Sequence, residues 1–163
     1  MNKVQLALKD QIVDTVKNIK KHNIGEILNW ILRNQIAKYS LANDFYYSTQ
    51  FTLDQVKSMK LDITKRSIKI KKNKITYEHP VPSKVVFNLI MAAKNESEIL
   101  NILEETDCIV ILSHSEDQKL RDRGLISSMP KGWSYGDNIF ARYEKANIKV
   151  LPKKIKMTGA IRR

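Results

Sequence analysis

The segment at 77–82, YEHPVP, places a carboxylate and an imidazole side by side just before a proline-rich turn. An imidazole can take a proton from water near neutral pH, and a carboxylate can hold a divalent cation. Together these groups suit metal-dependent cleavage of a phosphodiester bond, with His79 as the general base and Glu78 as a metal ligand. The alternative is structural: His79 is a half-buried histidine bonded to a backbone carbonyl, and Glu78 pairs with a nearby lysine.

A second group of candidate ligands follows the apolar run at 108–112, which predicts a buried strand. The next residues open a helix that carries an imidazole and two acids in its first turn. Ser113 and Glu116 also have the spacing of a capping box, and Asp117 complements the helix dipole, so both acids have structural alternatives. If the ends of the two strands lie together, these groups can share one cation with Glu78. The candidates are His114, Glu116 and Asp117.

A strand that ends in Glu-His-x-x-Pro, a second strand, and a helix that begins with candidate ligands resembles the HNH, or ββα-metal, nuclease superfamily. The resemblance covers residues 75–120. It implies that His79 activates water and that Glu78 binds one divalent cation. It also implies that Asp117 or His114 completes the metal site, with Glu116 or His114 as an assisting ligand.

The chain departs from that family in three places. Residues 82–103, read as two short helices, stand between the strands as an insertion. The asparagine that orients the family's histidine has no obvious counterpart, and Asn73 and Asn88 are the two candidates. Asp117 stands where the family has the last histidine of its helix. A carboxylate is a hard oxygen ligand, so the implied cofactor is Mg²⁺ or Mn²⁺ rather than Zn²⁺.

The charge of the chain favours a polyanionic partner. The 163 residues carry 29 basic and 17 acidic side chains, a formal net charge of +12. Residues 61–80 hold six basic and two acidic side chains, and residues 131–163 hold nine basic and two acidic ones. The middle, 81–130, is net acidic, with five basic and eight acidic side chains. Such basic stretches neutralise phosphates and release counterions, so we expect nucleic acid, and DNA first, as the partner.

Several side chains are candidates for contacting that nucleic acid. Lysines reach phosphates, guanidinium groups bind phosphate oxygens in pairs, and Trp133 in a glycine-flanked loop can stack on a base. The alternatives are a solvated lysine-rich surface, arginines that pair with the acidic stretch at 104–107, and a tryptophan that packs on the core. The candidates are Lys69, Lys71, Lys72, Lys74, Arg121, Arg123, Lys131, Trp133, Arg142, Lys153, Lys154, Lys156, Arg162 and Arg163.

Cysteine usage and hydropathy indicate the compartment. Cys108, the single cysteine, lies in an apolar run, as a buried thiol in a reducing compartment does. No apolar segment approaches membrane-spanning length, and residues 1–10 lack the basic-then-apolar order of a secretion signal. We therefore expect a soluble, cytoplasmic protein with no membrane contact.

Apolar periodicity predicts the helical elements of the first third. Residues 3–21 and 24–39 each carry an apolar stripe at helical spacing, which predicts a helical hairpin, with Asn23 and Glu26 as the capping pair of the second helix. Residues 41–60 are ambiguous, apart from a short helix over 52–59 capped by Thr52.

From residue 67 the period changes to two. Alternation over 67–77 predicts a β-hairpin with its turn at Lys72-Asn73. Proline and capping signals then predict four more helices and a C-terminal extension. These begin near Pro82, at Asn95 (to Leu103), at Ser113 (to Gly124) and at Asp137 (to about Asn147), followed by a basic tail over 151–163.

These elements predict an α+β fold: an N-terminal helical hairpin, then a β-hairpin and a further buried strand packed with several helices. The predicted domains are a helical region over 1–60, an α+β core with the candidate site over 61–150, and the basic tail over 151–163. The alternative is that all three form one compact domain.

The first functional hypothesis is a DNA-binding, metal-dependent endonuclease with a histidine general base. The alternative is a non-enzymatic module that binds nucleic acid or a nucleoprotein complex, such as a phage-type regulator or inhibitor of host defence. A third interpretation is a protein that forms homodimers through its N-terminal helices.

Overall fold

The computed structural model describes residues 1–22, 25–64 and 75–157. In this part of the chain, seven helices surround a mixed four-stranded sheet, which confirms the predicted α+β class. The elements in chain order are α1 (Lys3–His22), α2 (Glu26–Leu41), β1 (Phe45–Ser48), α3 (Gln50–Ser58), β2 (Ile75–Glu78), α4 (Ser83–Ala92), α5 (Glu96–Glu105), β3 (Val110–Ser113), α6 (His114–Asp122), α7 (Ala141–Lys145) and β4 (Ile155–Lys156).

The predicted N-terminal helix pair is confirmed. The apolar stripes of α1 and α2 face each other, and α4 and α5 pack against the same core, which includes Ile12, Leu32 and Ile90. The other side of α2 exposes Ile27 and Trp30. Homodimerisation through these helices stays a prediction. No helix in the described ranges is long and apolar enough to cross a membrane.

The sheet has the strand order β2-β3-β1-β4. Strand β3 runs parallel to β1 and antiparallel to β2, and β4 is antiparallel to β1. All four residues of β3 are buried because helices cover both faces of the sheet. Ile111 contributes to the core beneath α3, while Val110 and Leu112 contribute to the core beneath α6 and α7.

Residues 41–60, which the sequence left ambiguous, differ from expectation in two ways. Strand β1 was not predicted, since four residues with one exposed aromatic carry little periodicity. Helix α3 is capped by Thr49, not Thr52: the Thr49 hydroxyl accepts from the Thr52 backbone N–H at 3.0 Å. The Thr52 hydroxyl instead contacts α6, as described below.

The C-terminal predictions also change. Asp137 does not cap a long helix; its carboxylate accepts from the Ser134 backbone N–H at 2.7 Å, and α7 begins only at Ala141. The supposed tail contains β4, which adds an edge strand beside β1, and Met157 after it is buried. This part of the basic segment is therefore structural.

The capping signals elsewhere are confirmed. Asn95 caps α5, and Ser113 and Glu116 form the predicted capping box of α6. Gly124 follows α6 with a φ of +67°, a left-handed conformation that glycine adopts without steric cost. The Asn23 cap and the first strand and turn of the predicted hairpin lie outside the described residues. Within them, β2 pairs with β3.

Candidate functional site

The register of β2 and β3 decides which candidate ligands can meet. Ile75 pairs with Ser113 and Glu78 pairs with Val110, because the two strands are antiparallel. At about 3.3 Å per residue, the Glu78 end lies roughly 10 Å along the sheet from the Ser113 end. The expectation that these strand ends meet is therefore wrong for His114, which lies exposed at the far end.

Glu78 forms an ion pair with Arg142. One Glu78 oxygen accepts from Arg142 Nη2 at 2.7 Å, and the Arg142 side chain is completely buried. Burial raises the pKa of the Glu78 carboxyl, although attraction and hydrogen bonding from Arg142 offset part of that rise. The structural alternative for Glu78 was a lysine of the hairpin, and those lysines lie outside the described residues; the partner seen here is an arginine 64 residues away in sequence.

Arg142 joins three separate segments of the chain. Its guanidinium donates to the carbonyl oxygens of Leu125 at 2.8 Å and Ile126 at 3.2 Å, and also to that of His79. A residue with no exposed surface cannot clamp a phosphate, so its predicted role as a nucleic-acid contact was wrong. The reason is that its donors are used to hold the end of β2 against the loop after α6.

His79 lies beside this ion pair and is partly buried. Burial, together with the positive charge of Arg142, lowers the pKa of its imidazole to about 4. The imidazole is thus neutral near pH 7, but its weak basicity makes it a poor acceptor for a proton from water.

The depressed pKa of His79 makes folding depend on pH. The imidazole binds a proton more readily in the unfolded chain, so stability should fall as the pH is lowered from about 6.5 towards 4. Denaturant unfolding measured across this range should show a smaller decline for His79→Gln than for wild type. Asp107 works in the opposite direction, because burial raises its pKa to about 6. Wild type and His79→Gln both contain Asp107, so its contribution is the same in each. An equal decline in the stability of the two proteins would therefore contradict the assignment to His79.

Asp117 is the one acid of α6 that approaches Glu78. Helix α6 runs back over the sheet, and the Asp117 charge acts on Glu78 by raising its pKa. Asp117 is 3% exposed, and its Oδ2 accepts from Arg121 Nε at 3.0 Å. Its Oδ1 is buried and has no hydrogen-bond partner among the residues described here.

Glu116 points to a different part of the molecule. Its Oε2 accepts from the Thr52 hydroxyl at 2.6 Å, the Ser113 hydroxyl at 2.9 Å and the Ser113 backbone N–H at 3.1 Å. The predicted capping role is confirmed, and the carboxylate also links α6 to α3. A carboxylate with three donors on one oxygen is a structural group.

The positions of the candidate metal ligands do not fit a shared metal site. Glu78 and Asp117 each face a guanidinium at hydrogen-bond distance, which already compensates their charge. Glu116 is turned towards α3, and His114 is exposed at the opposite end of the strand pair. Within the described residues, no three His, Cys, Asp or Glu side chains converge in a way that could hold a metal ion.

The predicted stacking residue Trp133 packs on the protein instead. The ring is half-buried against the core of the helical layer, and its Nε1 donates to the Asn138 carbonyl at 3.1 Å. The packing alternative is the one observed.

A basic surface is formed around residues 144–151, which connect α7 to the sheet. They line three adjoining concavities of about 410, 290 and 850 Å³. Lys149 lines the first two, Asn147 the first and third, and Glu144 the second and third, so the three adjoin one another. We call the surface that they form the 144–151 face.

Six cationic side chains surround this face. Lys154 lies over the ring of Tyr47, 5.5 Å from its centroid, and Tyr47 lines the second concavity. None of the six forms an ion pair with a carboxylate in the described ranges, and Arg123 donates only to the carbonyl of Lys145. The six are Lys119, Arg123, Lys131, Lys145, Lys149 and Lys154.

The acids of this face are engaged by uncharged partners. Glu116 is held by the capping box, and Glu144 accepts from Asn138 Nδ2 at 2.8 Å. By contrast, two of the four glutamates of helix α5 pair with lysines of α1: Lys9 lies 2.8 Å from Glu104, and Lys17 lies 2.8 Å from Glu96. The 144–151 face therefore keeps its positive charge, whereas ion pairs in the helical layer offset part of the charge there.

The remaining predicted contacts divide into two groups. Lys153 and Lys156 are exposed around β4, and Arg121 is half exposed while bonded to Asp117. The others fall outside the described residues. These are Lys69, Lys71, Lys72, Lys74, Arg162 and Arg163.

Sequence reasoning missed three features of this region. Lys119, Lys145 and Lys149 were not singled out, because lysines spread over 30 residues form one surface only after α6 and α7 pack together. The buried role of Arg142 had one weak signal, its position among aromatic residues. The link between Thr52 and Glu116 had none, since it joins distant segments.

No protein-family model, no curated protein and no solved structure matches this chain.

Proposed function

We propose that this protein binds nucleic acid without cleaving it, through the basic 144–151 face. The observation that carries the proposal is the set of six cations around three adjoining concavities; none of the six is paired with a carboxylate in the described residues. Phosphates complement such a surface, and the release of counterions drives their binding.

The geometry of the candidate ligands favours binding over hydrolysis. The Glu78 and Asp117 carboxylates are each compensated by an arginine, and the imidazole of His79 is a weak base. A general base for hydrolysis works best with a pKa near the operating pH. The nuclease activity implied by the HNH resemblance therefore has less support here than simple binding.

Reversing two charges of the 144–151 face should weaken binding strongly. Lys119→Glu combined with Lys149→Glu removes two phosphate contacts and adds two repulsive charges in one concavity. We expect affinity for a labelled oligonucleotide, single-stranded or duplex, to fall roughly 10-fold or more at low salt, and the salt dependence to become shallower. Fluorescence anisotropy over a salt series measures both.

Lys3→Glu combined with Lys21→Glu is the matched control, because it also reverses two lysines. Both are exposed lysines of α1, within the helical layer and outside the three concavities. Their reversal changes the net charge by the same amount but should leave affinity nearly unchanged. Equal losses in the two variants would mean that total charge, not this face, determines binding.

Plasmid cleavage separates this function from the nuclease. Supercoiled DNA incubated with the protein and Mg²⁺ or Mn²⁺ should be shifted on a gel but remain supercoiled. Nicking by the wild type that disappears in His79→Ala, with the gel shift intact, would replace the proposal with a metal-dependent nuclease.

A further inference from the structure

Helix α3 presents an aromatic ring to solvent inside the basic surface. Phe51, in the first turn of α3, is 57% exposed and belongs to none of the hydrophobic clusters of the described residues. The core-facing residues of this helix are Leu53 and Val56. A single exposed phenylalanine is ordinary on a protein surface, so the inference depends on its surroundings.

Those surroundings include basic and polar side chains. Phe51 lines the first concavity together with Lys119 and Lys149, and with the amides of Gln50 and Asn147. At about 410 Å³, the concavity lies within the range of about 300–1,000 Å³ that is usual for small-molecule sites. It therefore combines a free aromatic face, two cations and hydrogen-bonding side chains.

The backbone that carries Phe51 is held firmly on both sides. Thr49 caps α3 and forms an antiparallel bridge with Val150, and the Leu151 N–H donates to the Ser48 carbonyl at 2.8 Å. Thr52 is tied to α6 through Glu116. A ring on a fixed backbone loses little conformational freedom when a ligand stacks on it.

We propose that Phe51 is a stacking platform for an unpaired base, and that the 144–151 face therefore selects single-stranded nucleic acid. Lys119 and Lys149, which line the same concavity, bind the flanking phosphates. Bases inside a duplex are already stacked on each other, whereas an unpaired base offers both of its faces to an aromatic side chain. This inference rests on the proposed binding function and names its substrate class.

The test compares two strands with equal numbers of phosphates. One is a labelled oligothymidine of about 12 nucleotides, within the usual site size of such grooves, and the other has the same length but abasic sugars. Phe51→Ala should weaken binding of oligothymidine on the order of 10-fold and leave the abasic strand unchanged, because stacking on one base is lost. Phe51→Trp should retain wild-type affinity, and Phe51→Leu should behave like the alanine variant.

The controls separate stacking from folding and from charge. Trp30→Ala removes another exposed aromatic, on α2, and should not change the affinity for either strand. Thermal unfolding should show that the Phe51 variants remain folded, since the ring is mostly exposed. The double variant Lys119→Glu, Lys149→Glu should weaken the binding of both strands by a similar factor, because both strands carry the same number of phosphates.

Two results would overturn the inference. One is a Phe51→Ala protein that binds oligothymidine as tightly as wild type, and the other is an equal loss for both strands. Either leaves the proposed binding function intact if the lysine variants still lose affinity. Unchanged binding in the lysine variants would instead remove the proposed function itself.

Discussion

Replacing Arg142 by methionine should lower the free energy of unfolding by about 3–5 kcal/mol, the usual cost of removing one partner from a buried ion pair. Glu78 would remain only slightly exposed, with no compensating charge at hydrogen-bond distance. The carbonyls of Leu125 and Ile126 would lose the same donor group. Urea denaturation monitored by circular dichroism measures the change.

A double variant identifies the cause of this loss. Glu78→Gln removes the charge that Arg142→Met leaves uncompensated, so the double variant should be less destabilised than the sum of the two single variants. Arg123→Met is the matched control, because Arg123 is exposed and donates to one carbonyl, and it should cost below about 1 kcal/mol. Additive single effects would show that Glu78 and Arg142 do not act as a pair.

Replacing Glu116 by alanine should cost about 2–4 kcal/mol, because it leaves buried hydroxyl donors on Thr52 and Ser113 without their acceptor. The capping box of α6 is lost at the same time. Since the same carboxylate links α6 to α3, the variant should also weaken oligonucleotide binding near Phe51. Chemical denaturation and anisotropy with the same preparation check both effects.

Glu98 provides the matched control for Glu116. It occupies the same capping position on α5, three residues after Asn95, and accepts from the Lys94 backbone N–H at 2.8 Å. Its hydrogen bonds are exposed, so Glu98→Ala should cost about 1 kcal/mol or less. If both variants lose the same stability, the buried link from Glu116 to Thr52 contributes nothing.

Local signals predicted much of the fold because the interactions behind them are local. The helix caps at Asn95 and Ser113 depend on residues three positions apart, and the apolar stripes of α1 and α2 depend on spacing within one helix. The strands were harder to predict from the sequence. β1 and β4 are short, and they are stable only because each pairs with another strand in the folded sheet.

The candidate site could not be predicted in the same way. Glu78 and His79 were identified from their chemistry, but their partners depend on the antiparallel register with β3 and on the position of α7. That packing places the guanidinium of Arg142 beside Glu78. It also sends neighbouring Glu116 and Asp117 to different surroundings, since consecutive helical residues point about 100° apart.

The sequence by itself determined the α+β class, the helix caps, the buried nature of β3 and the excess of positive charge. These follow from composition and from spacing along one element. Only the tertiary structure decided that Arg142 is buried, that Trp133 packs on the core, and that lysines from α6 to β4 surround one face. The reason is that a charge is paired or free according to what lies within a few ångströms of it, and for these residues the neighbours come from distant parts of the chain.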